Sequence, residues 1–291
     1  MGQVWRLFLG LRPRQWLKNV LLFAGLIFAE KLTDITLLSR VVQAFVSFCL
    51  LSGSIYLFND IRDVEQDRQH PEKKNRPLAS GALKMPVAQI GALIAGTIGL
   101  AWSFLISFEF GLCGVVYLIM TVSYTLGLKH VAIIDIMILS FGFVLRAYAG
   151  IAAVNEPTVP ATPWFLTCVW FLALFIVICK RRHEIGLLQE GARNHRAVLE
   201  EYSTPFLDQL VSITTTGTIM AYALYAINND RHHGIVWTVV FVVYGIFRYL
   251  HAVYHQNQGG APEMTVLRDK TMVANVILWL ASMIYIFYFQ K

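Results

Sequence analysis

VVQAFVSFCLLSGSIYLFNDIRDVEQDRQHPEKKNRP, residues 41–77, changes character abruptly at residue 59. The eighteen residues before that point carry no charge, and ten of the next nineteen are Asp, Glu, Lys or Arg. An uncharged run of about 18 residues can cross a hydrocarbon layer about 30 Å thick as a helix. Similar blocks recur, among them VLLFAGLIFA at 20–29 and WFLTCVWFLALFIVIC at 164–179. Of all 291 residues 56% are hydrophobic and 14% charged, against about 25% charged in ordinary soluble domains. A soluble helical core needs polar outer faces, which these blocks lack. The sequence therefore predicts an all-α polytopic membrane protein.

Window counting predicts about nine spans, near 18–30, 38–58, 86–106, 109–127, 132–153, 163–179, 207–227, 235–253 and 271–289. The first is short, and SFEFG at 107–111 forces a tight pair. No linker or low-complexity tract interrupts the chain, so residues 1–291 read as a single integral-membrane domain. The opening GQVWRLFLGLRPRQWLK mixes bases with tryptophans and shows no cleavage site for a signal peptide. Eighteen of the twenty-four Lys and Arg fall on one side of a nine-span arrangement and four on the other. By the positive-inside rule the rich side is cytoplasmic. That places the N-terminus on the cytoplasmic face of the cell (inner) membrane and the C-terminus opposite. The net charge of +6 then reflects topology and anionic ligands, and nucleic acid is not an expected partner. The four cysteines lie in predicted spans without C-x-x-C spacing, which argues against a disulfide framework or zinc site.

Asn59, Asp60, Asp63 and Asp67 read N-D-x-x-D-x-x-x-D at the end of the second predicted span. Helical spacing of three and four puts the aspartates on one stripe. Carboxylates repel one another there unless a cation lies between them. Their hard oxygens, with the Asn59 amide, suit magnesium bridged to phosphate. Bases follow immediately, and Lys73, Arg76 and Arg68 are candidate phosphate contacts through their N–H donors.

The run NDIRDVEQDRQHPEKKNRP at 59–77 resembles the first aspartate motif of the UbiA superfamily of intramembrane prenyltransferases. With RPRQWLKN at 12–19, KRRHE at 180–184 and RYLHAVYHQNQGGAPEMTVLRD at 248–269, it is similar to the branch that transfers phosphoribose to decaprenyl phosphate. This resemblance implies nine helices around a central cavity open to the membrane, with Mg2+ holding a diphosphate. Asp60, Asp63 and Asp67 become the expected catalytic metal ligands.

One departure from the superfamily pattern is informative. A second acidic D-x-x-x-D motif belongs after the sixth helix, where this chain has Lys180, Arg181 and Arg182, with Glu184 the nearby acid. One acidic and one basic cluster suit two phosphorylated substrates at once. Phosphoribosyl pyrophosphate brings a diphosphate and a 5-phosphate, and a polyprenyl phosphate brings its own. Arg14, Lys18 and Asn19, at the mouth of the first span, are candidates for the lipid phosphate. Tyr124 and Lys129 cap the fourth span. Asp135 and Arg146, eleven residues apart in the fifth, are ionisable groups at depth and so mark a functional path. Gly259, Gly260, Glu263, Arg268 and Asp269 form a last polar loop to which chemistry alone assigns no role.

The expected reaction is transfer of 5-phosphoribose from phosphoribosyl pyrophosphate to a polyprenyl phosphate of decaprenyl type at the cytoplasmic face, releasing diphosphate. An ordinary prenyl transfer to an aromatic or glycerophosphate acceptor is the alternative with the same fold. A polyprenyl-phosphate transporter is the alternative from another class, disfavoured because the charged motifs lie almost wholly on one side. The sequence leaves a homo-oligomer open.

Overall fold

The computed structural model describes residues 2–28, 30–71, 73–155, 162–189, 197–229, 231–256, 259–260 and 262–289. Twelve α-helices follow in chain order. They are α1 (Gln3–Gly10), α2 (Phe23–Phe28), α3 (Ile35–Arg62), α4 (Val64–Gln69), α5 (Met85–Ile106) and α6 (Phe108–Leu126), then α7 (Ile134–Val154), α8 (Pro163–Gln189), α9 (Thr204–Ile227), α10 (Val239–His255), α11 (Pro262–Arg268) and α12 (Lys270–Tyr288). Eight segments are long and apolar enough to cross a membrane: α3, α5, α6, α7, α8, α9, α12 and a run from His233 through α10. They coincide with the last eight predicted spans.

The first predicted span takes a different form. Pro13–Leu22 is a 3-10 helix and leads directly into the short α2. At about 2.0 Å rise per 3-10 residue and 1.5 Å per α residue, the pair reaches about 29 Å. It runs antiparallel to α3. Arg12 meets Asp60 near the end of α3, and Leu26 packs with Leu37 and Val41 at its start. A 3-10 run of ten residues is unusual, and backbone contact fixes its far end. A Cβ on Gly150 of α7 would lie 2.0 Å from the Leu22 carbonyl oxygen, and one on Gly25 would lie 2.9 Å from the Ile151 nitrogen. Only glycines let the chains approach this closely.

The described residues form two compact units, Met1–Leu128 with Leu145–Pro160, and Lys129–Val144 with Ala161–Lys291. The first unit is organised on α3, where Phe48 packs against Tyr117 at 4.8 Å and against Phe110 at 6.2 Å. Ser47 of α3 donates to the Gly99 carbonyl of α5 at 2.8 Å, a small-residue contact of the kind that joins helices in lipid. The second unit is centred on Phe175, Ile178, Cys179, Leu207, Val211 and Tyr249.

Local signals set the helix starts. Asp34 accepts from the amides of Thr36 and Leu37 to begin α3, and Ser203 caps α9. The tight pair at SFEFG is a single extended residue, Ser107, between α5 and α6. Its hydroxyl accepts from Phe110 N at 3.0 Å and donates to the Ala152 carbonyl at 2.8 Å. Asp269 caps α12 through Thr271 and Met272 and pairs with Arg248 of α10 at 2.7 Å. The Thr271 hydroxyl, the Arg248 guanidinium and the two cap amides hold its carboxyl down from 3.8 to about 2.

Ser107→Ala is expected to cost about 1 kcal/mol through the lost cap, a fall in Tm of about 2–4 °C in a thermal melt of the purified protein. For Asp269 the folded pKa lies below the unfolded one. Its stabilisation is therefore complete above about 3.8 and lost as pH falls towards 2. Asp269→Asn should lower Tm at neutral pH and flatten the acid side of the Tm–pH curve; an unchanged acid limb would contradict this.

Candidate active site

In the first unit the chemistry gathers where α3 ends. The helix breaks at Asp63, whose backbone (φ −97°, ψ 12°) leaves the helical region before α4 begins at Val64. Backbone bonds Asp63 N to Asn59 O at 2.9 Å and Asp67 N to Asp63 O at 2.8 Å carry the spacing of four through the break. Asp60 and Asp67 are both nearly buried, and one guanidinium joins them. Arg76 Nη1 lies 3.1 Å from Asp60 Oδ1 and 2.5 Å from Asp67 Oδ2. Asp60 also accepts from Arg12, which sits over the Tyr56 ring at 5.1 Å. The Asn59 amide oxygen accepts from the Thr125 hydroxyl of α6.

Arg12 was not among the expected site residues. Its φ of 54° and ψ of 65° are left-handed, an uncommon conformation for a residue with a Cβ. That backbone turns α1 into the 3-10 segment and delivers the side chain to Asp60. The sequence hint is its place at the head of RPRQWLKN, one of the motifs that carry the resemblance.

Among the described residues no three His, Cys, Asp or Glu side chains converge as a metal site. Asp63 stands at the break itself, between the buried Asp60 and Asp67, and those two carboxylates share the Arg76 guanidinium. The pair still fits magnesium. Mg2+ usually takes one or two carboxylates and completes its shell with substrate phosphates and water. Two carboxylates already drawn to a single cationic group offer that donor set.

Other expected contacts have partners within the protein. Arg68 bonds Glu65 at 2.6 Å in an exposed i,i+3 pair and reaches the Ala79 carbonyl at 3.3 Å, which stitches the turn after α4. Asn19, expected at the mouth of the first span, is fully buried. It accepts from Arg146 Nε at 2.9 Å and donates to Ser52 Oγ at 3.1 Å. Arg146 in turn reaches the Tyr117 hydroxyl at 3.1 Å and lies over the Phe48 and Tyr117 rings. A charge needs such partners to sit at this depth. Arg14 is exposed, and Lys18, Lys73 and Tyr124 are half-buried.

The second unit holds the basic cluster. KRRHE was expected in a loop, but α8 runs on to Gln189, so these residues occupy helical turns. The expected 180–206 loop is described at 180–189 and 197–206. Arg181, 1% exposed, bonds Asp135 of α7 at 2.9 Å and Glu184 at 2.6 Å. Asp135 thus has its contacts with Arg181 and Tyr202 in the second unit, and Arg146 has its contacts with Asn19 and Tyr117 in the first. Tyr202, absent from the expected site, donates its hydroxyl to Asp135 Oδ1 at 2.6 Å. Burial and this donation push its phenol up, so it stays a donor at neutral pH. Arg182 bonds Asp208 at 2.5 Å and lies 4.0 Å from the centre of the Tyr254 ring, whose hydroxyl also bonds Asp208. Lys180 and Lys129 are half-buried.

The last polar loop reaches the same helix end. A Cβ on Gly259 would lie 2.7 Å from His183 Cβ, and one on Gly260 would lie 3.0 Å from the His183 ring. The glycine pair lets backbone lie directly on the basic motif. A groove of about 470 Å³ between α9 and α10, lined by Ser212, Thr215, His251 and His255 among others, contains none of the expected site residues.

Residues 20–289 match the UbiA prenyltransferase family. The chain is 34% identical over 277 residues to decaprenyl-phosphate phosphoribosyltransferase of Mycobacterium tuberculosis, covering 94% of this chain and 91% of that one. It is 36% identical over 289 residues to the protein of that name from Corynebacterium glutamicum, covering 96% and 85%. In fold it is similar to a UbiA homologue from Archaeoglobus fulgidus bound to DMAPP and Mg2+. The TM-score is 0.73 at 17% identity, over 99% of this chain and 100% of that one. Matched over nearly its whole length and built on eight apolar helices of spanning length, the chain is an integral membrane protein and belongs to the UbiA prenyltransferase family.

Proposed function

We propose that this protein transfers a 5-phosphoribosyl group from phosphoribosyl pyrophosphate to a polyprenyl phosphate, with release of diphosphate. The observation that carries the reading is the 32–36% identity, across 94–96% of the chain, to decaprenyl-phosphate phosphoribosyltransferases. The protoheme IX farnesyltransferases of the same family match over 56% of the chain. The geometry supports the same choice, since the end of α8 presents Lys180, Arg181 and Arg182 in place of acids. By the distribution of Lys and Arg, the N-terminus and the site face the cytoplasm and the C-terminus lies opposite.

Asp60 and Asp67 would hold the metal, with Asn59 and Asp63 close in sequence. Magnesium, when bound, neutralises charge that develops on the leaving diphosphate. Arg76 and Arg12 already lie on these carboxylates, and their remaining donors suit diphosphate oxygens. Arg14, Lys18, Lys73 and Lys129 are further phosphate candidates. The acceptor phosphate is an anion at neutral pH, so its attack on C1 of the ribose needs no general base. A single displacement inverts C1. Holding a soluble sugar and a membrane lipid together supplies much of the rate enhancement.

The basic cluster divides its roles. Arg181 is committed to two carboxylates and acts as a brace. Lys180 is the better phosphate contact, with Arg182 beside it held by Asp208 and the Tyr254 ring.

An assay in two mixtures with purified protein and magnesium tests the reading. Labelled phosphoribosyl pyrophosphate with a polyprenyl phosphate should give labelled lipid of inverted configuration, and Asp60→Asn should abolish the product. A prenyl diphosphate with 4-hydroxybenzoate should give nothing. Product in the second mixture only would replace this reading with conventional prenyl transfer.

Substitutions in the cluster should separate the two roles. Lys180→Ala is expected to raise the KM of one phosphorylated substrate about tenfold with little change in Tm. Arg181→Ala should destabilise the fold by about 3 kcal/mol, because it strands a buried carboxylate. Equal thermal losses in both variants would argue against the division.

A further inference from the structure

We infer that Tyr202 is a positioning residue for the basic cluster, and that it acts by holding a strained backbone turn at Ile133. The inference rests on the proposed role of that cluster in binding a phosphorylated substrate.

Ile133 has a φ of 67°. A β-branched residue pays a steric penalty there, because its Cβ crowds the adjacent peptide. Ile134 N bonds the Ala132 carbonyl oxygen at 2.7 Å, spanning this one residue. A bond from i+2 to i around a residue of positive φ is the γ-turn of the rare, strained hand. Such a turn persists only where its surroundings hold it.

What holds it is a phenol 69 residues further on. Ile133 N donates to Tyr202 Oη at 2.6 Å, and the same hydroxyl donates to Asp135 Oδ1 at 2.6 Å. Tyr202 is itself fixed, stacked with Phe206 at 6.3 Å and flanked by the buried Val198 and Leu199. One hydroxyl therefore sets both the turn that begins α7 and the carboxylate two residues later. Asp135, fully buried, uses its other oxygen to hold Arg181, which also holds Glu184. The chain of contact runs from Tyr202 through the turn to Asp135, then to Arg181 and the helical turns that carry Lys180 and Arg182.

Tyr202 touches no reacting atom, so its loss should change substrate affinity and leave the chemical step alone. Tyr202→Phe keeps the ring and removes both bonds. Its KM should rise about fivefold for the same phosphorylated substrate that Lys180→Ala affects, with kcat within about twofold of wild type. The decisive arm adds Ile133→Gly. Glycine adopts positive φ without steric cost, so the turn no longer needs its clamp. The double variant Tyr202→Phe/Ile133→Gly should recover at least about half of the lost affinity on a logarithmic scale, a coupling that a double-mutant cycle reads directly. Ile133→Gly alone should leave KM near wild type.

An unchanged KM in Tyr202→Phe, where Lys180→Ala raises it, overturns the inference and leaves the function standing. A raised KM that Ile133→Gly does not relieve also overturns it, since Tyr202 would then serve Asp135 alone. An unaffected KM in Lys180→Ala removes the cluster's proposed role itself. Melting curves on the same preparations guard against misfolding. If Tyr202→Phe does not fold, the double variant should regain a cooperative transition; failure to do so counts against the turn.

Discussion

A guanidinium that has left water must find its partners inside the protein, and this requirement organises both units. Arg146 is met by an amide, a phenol and two aromatic faces from three other segments of the first unit. Arg181 is met by two carboxylates in the second. Each satisfied charge ties together helices that apolar contact alone would leave free to slide, because lipid competes with apolar side chains on equal terms. Removing one member of such a pair leaves a charge stranded at several kcal/mol. Polar side chains therefore act as framework here as much as binding groups.

The same constraint explains how the candidate site can be acidic and still compact. Asp60 and Asp67 are almost without exposure, and their repulsion is cancelled by Arg76 and Arg12. The carboxylates are thus held close together, with a cationic group between them. A metal–diphosphate complex would meet ligands already spaced by a positive group, and the arginines would retain donors for phosphate. In the second unit, buried Asp135 plays the converse part and fixes a base from beneath.

Much of the architecture was legible because a bilayer imposes a one-dimensional code. Uncharged runs of about twenty residues mark spans, and eight such segments lie where the sequence placed them. The acid–base stretch at 59–76 pointed to Asp60, Asp67 and Arg76 through its spacing. Three features stayed hidden for physical reasons. Backbone conformation at Arg12 is not a property of residue type, so its approach to Asp60 could not be read. Tyr202 meets Asp135 across 67 residues of chain, where no periodicity operates. The helical course of KRRHE is hidden because charge marks the end of a span and not the end of a helix, and Lys, Arg and Glu favour helix once the chain has left the hydrocarbon.

The segment from Pro13 to Phe28 is fastened very differently at its two ends. Beside Gly150 the contact is backbone against backbone, with no side chain able to rotate out of the way. At Arg12 the fastening is an ion pair, whose partner can be exchanged for another cation. The rest of that end does not depend on charge: Gln3 and Arg6 donate to the Ala82 carbonyl, and Leu7 and Leu11 pack with Leu57 and Leu83. Exchange of the Arg12 partner would therefore leave α1 docked and free only the guanidinium.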